Sequence, residues 1–99
     1  MKQITKAIRE KLIANHKNQD GTKEFKAVLK LFNPTGAGTW YLSELNPETN
    51  VAFGLCYITD KEYGYVDLNE LENFKGALGL GIERDKFFTP KTLEECKNL

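Results

Sequence analysis

Two stretches of this chain carry side chains whose types and spacing suit chemistry. In Trp40-Tyr41-Leu42-Ser43-Glu44, strand alternation places Trp40, Leu42 and Glu44 on one face, with indole and carboxylate about 13 Å apart at their Cα atoms. Such an indole either fills the core or floors a ligand cleft. In Ile82-Glu83-Arg84-Asp85, alternation turns Arg84 away from Glu83 and Asp85. That cluster either forms surface ion pairs or lets the planar guanidinium hold an anion or a carboxylate. Trp40, Glu44, Glu83, Arg84 and Asp85 are therefore the candidate ligand- or partner-binding residues. Glu44, Glu62, Glu83 and Asp85 would also serve general acid–base chemistry wherever the fold brings them to one cleft. Lys26 and Lys30, with Lys6, Arg9 and Lys11 and an aromatic such as Phe32 or Trp40, are the candidates for contact with a nucleic acid.

Other chemistries lack their residues. Tetrahedral zinc needs clustered Cys and His, whereas this chain has one histidine, His16, and two distant cysteines. A serine nucleophile would have to be Ser43, with His16 as its base. Cys56 lies between Leu55 and Tyr57, a setting that suits a core thiol better than a thiolate. Gly76, Gly79 and Gly81 precede an extended segment rather than opening a helix, and no Gly-Lys-Ser/Thr follows, so they read as a flexible connection. No catalytic residue, metal or cofactor is expected.

The elements that must position these residues follow from periodicity. Thr5 caps a helix running to about Asn15, with Ile4, Ile8 and Leu12 on its buried stripe. Residues 25–32 alternate as a half-buried strand: Phe25, Ala27, Leu29 and Leu31 point one way, and Lys26, Val28, Lys30 and Phe32 the other. Residues 33–38, rich in Gly and Pro, form a loop. A second strand covers residues 39–45, and residues 46–50 make a hairpin connection. Residues 51–58 are apolar at nearly every position and predict a strand covered on both faces, hence central in its sheet. A short strand at 63–66 completes a four-strand meander. Asp67 opens a helix from Leu68 to about Phe74, and Thr92 with Glu95 forms a capping box for a last short helix.

The chain is 99 residues, 40% hydrophobic and 28% charged, which suits one globular domain over residues 1–99. Its net charge of zero hides a split: residues 1–30 hold eight Lys/Arg against three acids, leaving six against eleven in the remainder. The basic front attracts a polyanion and the acidic remainder repels it, so the whole-molecule field steers weakly toward nucleic acid. No apolar run approaches the length of a membrane span, and the charged N-terminal segment does not resemble a secretory signal. A cytoplasmic location with reduced Cys56 and Cys96 is expected.

Taken in order, Ile4-Thr5-Lys6, Lys30-Leu31-Phe32-Asn33-Pro34, Thr39-Trp40-Tyr41, Glu44, Phe53-Gly54-Leu55, Glu62-Tyr63-Gly64-Tyr65, Leu68-Asn69-Glu70-Leu71-Glu72 and Ile82-Glu83-Arg84-Asp85, with Phe88 and Pro90, resemble the bacterial domain-of-unknown-function family 2958 over nearly the whole chain. The resemblance implies a small protein of bacteria and of plasmids, conjugative elements and phages; it carries over no catalytic residue. The sequence thus predicts an α+β fold: a mostly antiparallel, four- to five-stranded meander with the N-terminal helix on one face and short C-terminal helices. The expected function is a small non-enzymatic binding module for a protein or nucleic acid partner, with no membrane and no metal. The alternative is a small carboxylate-dependent enzyme.

Overall fold

The computed structural model describes residues 4–99; Lys2, counted in the basic front segment, lies outside the described residues. The order of elements is α1 (Lys6–Asn18), β1 (Leu29–Phe32), β2 (Thr39–Asn46), β3 (Val51–Tyr57), β4 (Lys61–Asp67), α2 (Leu68–Asn73), β5 (Glu83–Arg84) and α3 (Leu93–Cys96). The strands form one five-stranded sheet in the order β4-β3-β2-β1-β5, every neighbouring pair antiparallel. The expected α+β architecture is the one observed.

Helix α1 begins where its cap predicts, with the Thr5 Oγ1 accepting from the Ile8 N–H at 3.2 Å. It runs three residues past Asn15, ending at Asn18. Asn15 reads as a polar stop signal, yet it is only 3% exposed, because its side-chain amide donates to the Ser43 carbonyl at 2.9 Å. A buried amide with a partner costs the helix little. Leu12 meets Leu29, Leu31, Trp40, Leu42, Leu45, Ala52, Leu68, Leu71 and Ile82 in the larger core, between α1 and the sheet. The opposite face holds a smaller cluster of Ala27, Tyr41, Leu55 and Cys96, with Phe88 and Leu93 against it.

The strand buried almost along its whole length is β2, not β3: residues 40–45 are all buried, whereas β3 mixes buried and half-buried positions and ends exposed. The apolar run at 51–58 reflects a strand next to the centre. The centre itself tolerates Ser43 and Glu44 because both are held by polar contacts. The first strand is also shorter than its alternation suggests. Ordered pairing starts at Leu29, and Ala27 instead bridges to Lys91. Ala27 thereby joins the cluster on the face opposite Leu29 and Leu31.

The C-terminal third follows its caps. Asp67 accepts from the Asn69 N–H at 2.8 Å and starts α2. The Thr92/Glu95 capping box is complete, with both reciprocal bonds formed. Between them, the glycine-rich stretch contains a single 3₁₀ turn at Ala77–Gly79.

Candidate functional site

A one-residue irregularity in β2 decides what faces what. Leu42 pairs with Gly54, but the next pair is Glu44 with Phe53, so Ser43 is the extra residue of a bulge. Before the bulge Trp40 and Leu42 face the α1 core and Tyr41 faces away. After it the parity is reversed. Leu45 returns to the α1 core, and Glu44 points to the opposite face with Tyr41, Phe53 and Leu55. Trp40 and Glu44 therefore do not share a face, contrary to the alternation rule. Trp40 is a core residue, 7% exposed, and Glu44 stands alone on the other side.

Glu44 floors a groove. Two adjoining depressions of about 390 Å³ and about 400 Å³ share Gln19, Glu44, Phe53 and Tyr65 among their walls. Alternation along β4 puts Tyr63 and Tyr65 on this face, opposite Leu55 and Phe53 of β3. The Phe53 and Tyr65 rings pack 5.2 Å apart, centroid to centroid, inclined by 55°. Tyr65 is 76% exposed and Glu44 only 8%, so the aromatic wall rises from a recessed carboxylate. The far wall comes from α3 and the segment before it, where Leu93 and Glu94 line the opening. The Tyr63 hydroxyl donates to Glu94 at 3.1 Å, and the Lys97 ammonium lies 4.3 Å from the Tyr63 ring centroid.

The near wall is organised by Gln19. Its Oε1 accepts from the N–H groups of Gly21 and Lys23, at 3.0 and 3.1 Å. Its Nε2 donates to the Lys23 carbonyl at 2.8 Å and to the Glu44 carboxylate at 3.1 Å. One amide thus closes the loop after α1 and anchors it to the groove floor. Gly21 sits within this loop at φ +91°, a conformation that side-chain-bearing residues rarely adopt. Acids outnumber lysines on the walls, where Glu24, Glu44 and Glu94 face Lys23.

The other sequence-derived candidates lie elsewhere. Arg84 pairs with Leu31 at the sheet edge and so lies on the Trp40 side, away from Glu44. Its Nε is buried without a hydrogen-bond partner. Asp85 is tied to Lys30 in an ion pair of 3.5 Å and caps the Phe87 N–H at 2.9 Å. Lys30 also lies 5.5 Å from the Tyr41 ring centroid, so its charge is already engaged. Lys26 and Glu83 are exposed. Glu62, paired with Cys56, projects to the α1 side of β4. The fold therefore brings none of Glu62, Glu83 and Asp85 to Glu44. Among the described residues no group of three or more His, Cys, Asp and Glu side chains is placed to hold a metal ion.

Cys56 packs on the α1 core and Cys96 in the opposite cluster, so the sheet separates them and both are free thiols. Burial pushes both thiols above their ordinary range; at Cys96 Lys91 and Lys30 pull the other way while Glu95 adds to the rise. Neither has the character of a nucleophile. No helix among the described residues is long and apolar enough to cross a membrane.

Sequence reasoning missed Gln19, Phe53, Tyr63 and Tyr65. The signal for the tyrosines was present, since positions 63 and 65 fall on one face of any strand there. For Gln19 no local pattern announces a contact with a strand 25 residues on.

No curated protein and no solved structure matches the chain. A family model matches residues 3–94, and the chain belongs to the family described as protein of unknown function, DUF2958.

Proposed function

We propose that this protein is a non-enzymatic binding module whose site is the Glu44 groove, and that it takes a cationic side chain on an extended segment of a protein partner. The observation that carries this reading is the recessed Glu44 carboxylate, which accepts from the Gln19 amide and is overlooked by the Phe53 and Tyr65 rings. A buried carboxylate retains most of its strength toward an incoming Lys or Arg, and aromatic faces add cation–π attraction. A phosphate backbone would meet Glu24, Glu44 and Glu94 in the same groove, which disfavours nucleic acid there. Acid–base catalysis is the less favoured reading, because Glu62, Glu83 and Asp85 lie away from the groove and Glu94, the carboxylate on its far wall, is engaged by the Tyr63 hydroxyl. A cytoplasmic setting, and a link to plasmids, conjugative elements and phages, belong to the same reading and rest on the reduced thiols and the sequence resemblance.

The test is a titration followed by NMR, with an Arg-containing tetrapeptide and, separately, a single-stranded oligonucleotide. The peptide is expected to shift the amides of Glu44, Phe53 and Tyr65. Glu44→Gln should weaken it by about 10- to 100-fold, the loss of one charge-assisted hydrogen bond. Shifts from the oligonucleotide at these residues, or none from the peptide, would refute the reading.

A further inference from the structure

The outer strand β4 offers a second surface, independent of the groove floor. Among the described residues it has β3 on one side and no strand on the other. The Leu68 N–H donates to the Asn50 carbonyl at 3.0 Å, and these two residues are directly opposite in the register that pairs Val51 with Asp67. Antiparallel ladders alternate, so Val66, Gly64 and Glu62 turn their main-chain groups toward β3. Lys61, Tyr63, Tyr65 and Asp67 consequently turn theirs toward the open edge. Natural edges are blunted by proline, a bulge, an inward charge or charged side chains, lysine above all; β4 carries its charges, Lys61, Glu62 and Asp67, only at its two ends. Residues 61–67 contain no proline, and their pairing with β3 runs without a register shift.

The edge is also self-complementary. Read outward from Gly64, each direction meets a tyrosine and ends in a charge, Lys61 one way and Asp67 the other. We propose that two copies of this chain pair through β4, antiparallel and about a two-fold axis at Gly64, into one continuous sheet. In that register Tyr63 faces the second copy's Tyr65, and Lys61 faces its Asp67, each twice by symmetry. Tyr63 and Tyr65 then meet in hydrogen-bonded pairs, Asp67 offers its N–H to Lys61 because its carbonyl starts α2, and Gly64 meets Gly64 in the close, non-hydrogen-bonded pair at about 4.5 Å between Cα atoms. Both charged ends have capacity left. Lys61 donates to the carbonyls of Lys97 and Leu99, at 2.7 and 2.8 Å, leaving one ammonium hydrogen. Asp67 uses Oδ1 for its helix cap and keeps Oδ2. A slip of two residues in either direction loses both ion pairs and leaves main-chain groups unpaired.

Sedimentation velocity across a concentration series gives the stoichiometry, and cysteine cross-linking gives the register. A Cβ at position 64 has no heavy atom within 4 Å, so Gly64→Cys fits the subunit, and its two copies would lie within disulfide reach. In Glu62→Cys the two thiols would sit four residues out of register, about 13 Å apart at Cα. The expected result is a dimer that oxidation locks through Gly64→Cys and not through Glu62→Cys. Tyr65→Lys, at an exposed site, should weaken the dimer by about tenfold or more by setting like charges diagonal to Lys61, with the unfolding transition of the subunit retained. A monomer up to about 1 mM, a dimer that Gly64→Cys does not lock, or equal locking at 62 and 64 would overturn the proposal.

Discussion

Gly54 lies flat against the main chain of Tyr41: a Cβ at position 54 would overlap the Tyr41 carbonyl oxygen and crowd the Leu42 Cα. The close approach occurs beside the Ser43 bulge, where Leu42 pairs with Gly54 and Glu44 with Phe53. Because the obstructing atoms are backbone, a side chain there must push β2 and β3 apart. Gly54→Ala is expected to destabilise the protein by about 3 kcal/mol, at the upper end of overpacking effects. Urea unfolding measures the loss. Since Glu44 reaches the groove only through the bulge, amide shifts at Glu44 and Phe53 in the variant should be larger than those in α2.

Gln19 should matter more to stability than the charge of Glu44 does. Gln19→Ala removes four hydrogen bonds at once, three within the loop and one to the Glu44 carboxylate, and leaves a recessed carboxylate unpartnered. The expected cost is about 1–3 kcal/mol, with faster hydrogen exchange at the amides of Gly21 and Lys23. Glu44→Gln keeps an oxygen for Gln19 and removes a charge from a poorly solvated position, so it should change stability by less than about 1 kcal/mol. Denaturant midpoints of the two variants rank them. Equal costs would show that the loop does not depend on Gln19.

The elements legible in the sequence were those with their own local signals. The Thr5 cap, the Thr92/Glu95 box and the tight connection after Asn46 are satisfied by residues within a few positions, so spacing reveals them. What sequence could not supply was parity. A bulge adds one residue without altering the hydrophobic pattern on either side, and everything beyond Ser43 changes face. That single insertion separates Trp40 from Glu44 and turns an expected indole–carboxylate face into a tyrosine-walled groove. Arg84 and Asp85 alternate as read, yet their strand pairs only through Glu83 and Arg84, and Asp85 is neutralised by Lys30 from β1, a partner 55 positions away in sequence. The apolar run at 51–58 does not mark the centre of the sheet for a similar reason. Burial of Ser43 and Glu44 depends on Asn15 and Gln19, contacts made across the fold.

Asn15 ties helix to bulge, and its replacement by aspartate should produce a pH-dependent defect. Asn15 donates to the Ser43 carbonyl from a position only 3% exposed. In Asn15→Asp the ionised carboxylate has no hydrogen to give and faces an oxygen, while burial opposes its charge. Both effects raise its folded-state pKa above the unfolded value of about 3.9. A group raised in this way is tolerated below the unfolded pKa, and the protein loses stability as pH rises through the folded value. The variant should therefore approach wild-type stability near pH 4 and fall behind it toward neutrality, by about 3 kcal/mol or more. Thermal unfolding across that range tests the sign, and Asn15→Ala, without a titrating group, should show a constant deficit.

The capping box of α3 predicts the opposite pH dependence. The Glu95 carboxyl is held below its ordinary 4.5, first by the Thr92 backbone N–H, then by the Thr92 side chain, with smaller help from Lys26 and Lys91. The bond from the Thr92 N–H to Glu95 Oε1 is 3.1 Å. With the folded pKa depressed, the contribution is fully present above the unfolded pKa and disappears as pH falls through the folded value. Helix α3 carries Cys96 and Leu93 onto Tyr41 and Leu55, so loosening it uncovers the groove side of the sheet while the α1 core remains closed. Protection against hydrogen exchange at Cys96 and Lys97, whose N–H groups bond to Thr92 and Leu93, taken relative to an unstructured chain at the same pH, should fall below the ordinary carboxylate range before protection in β2 and β3 does. Glu95→Gln keeps the acceptor oxygen but removes the titration. In that variant protection at Cys96 should be lower than wild type at neutral pH and should lose this acid-dependent fall; an unchanged acid profile would place the sensitivity outside the capping box.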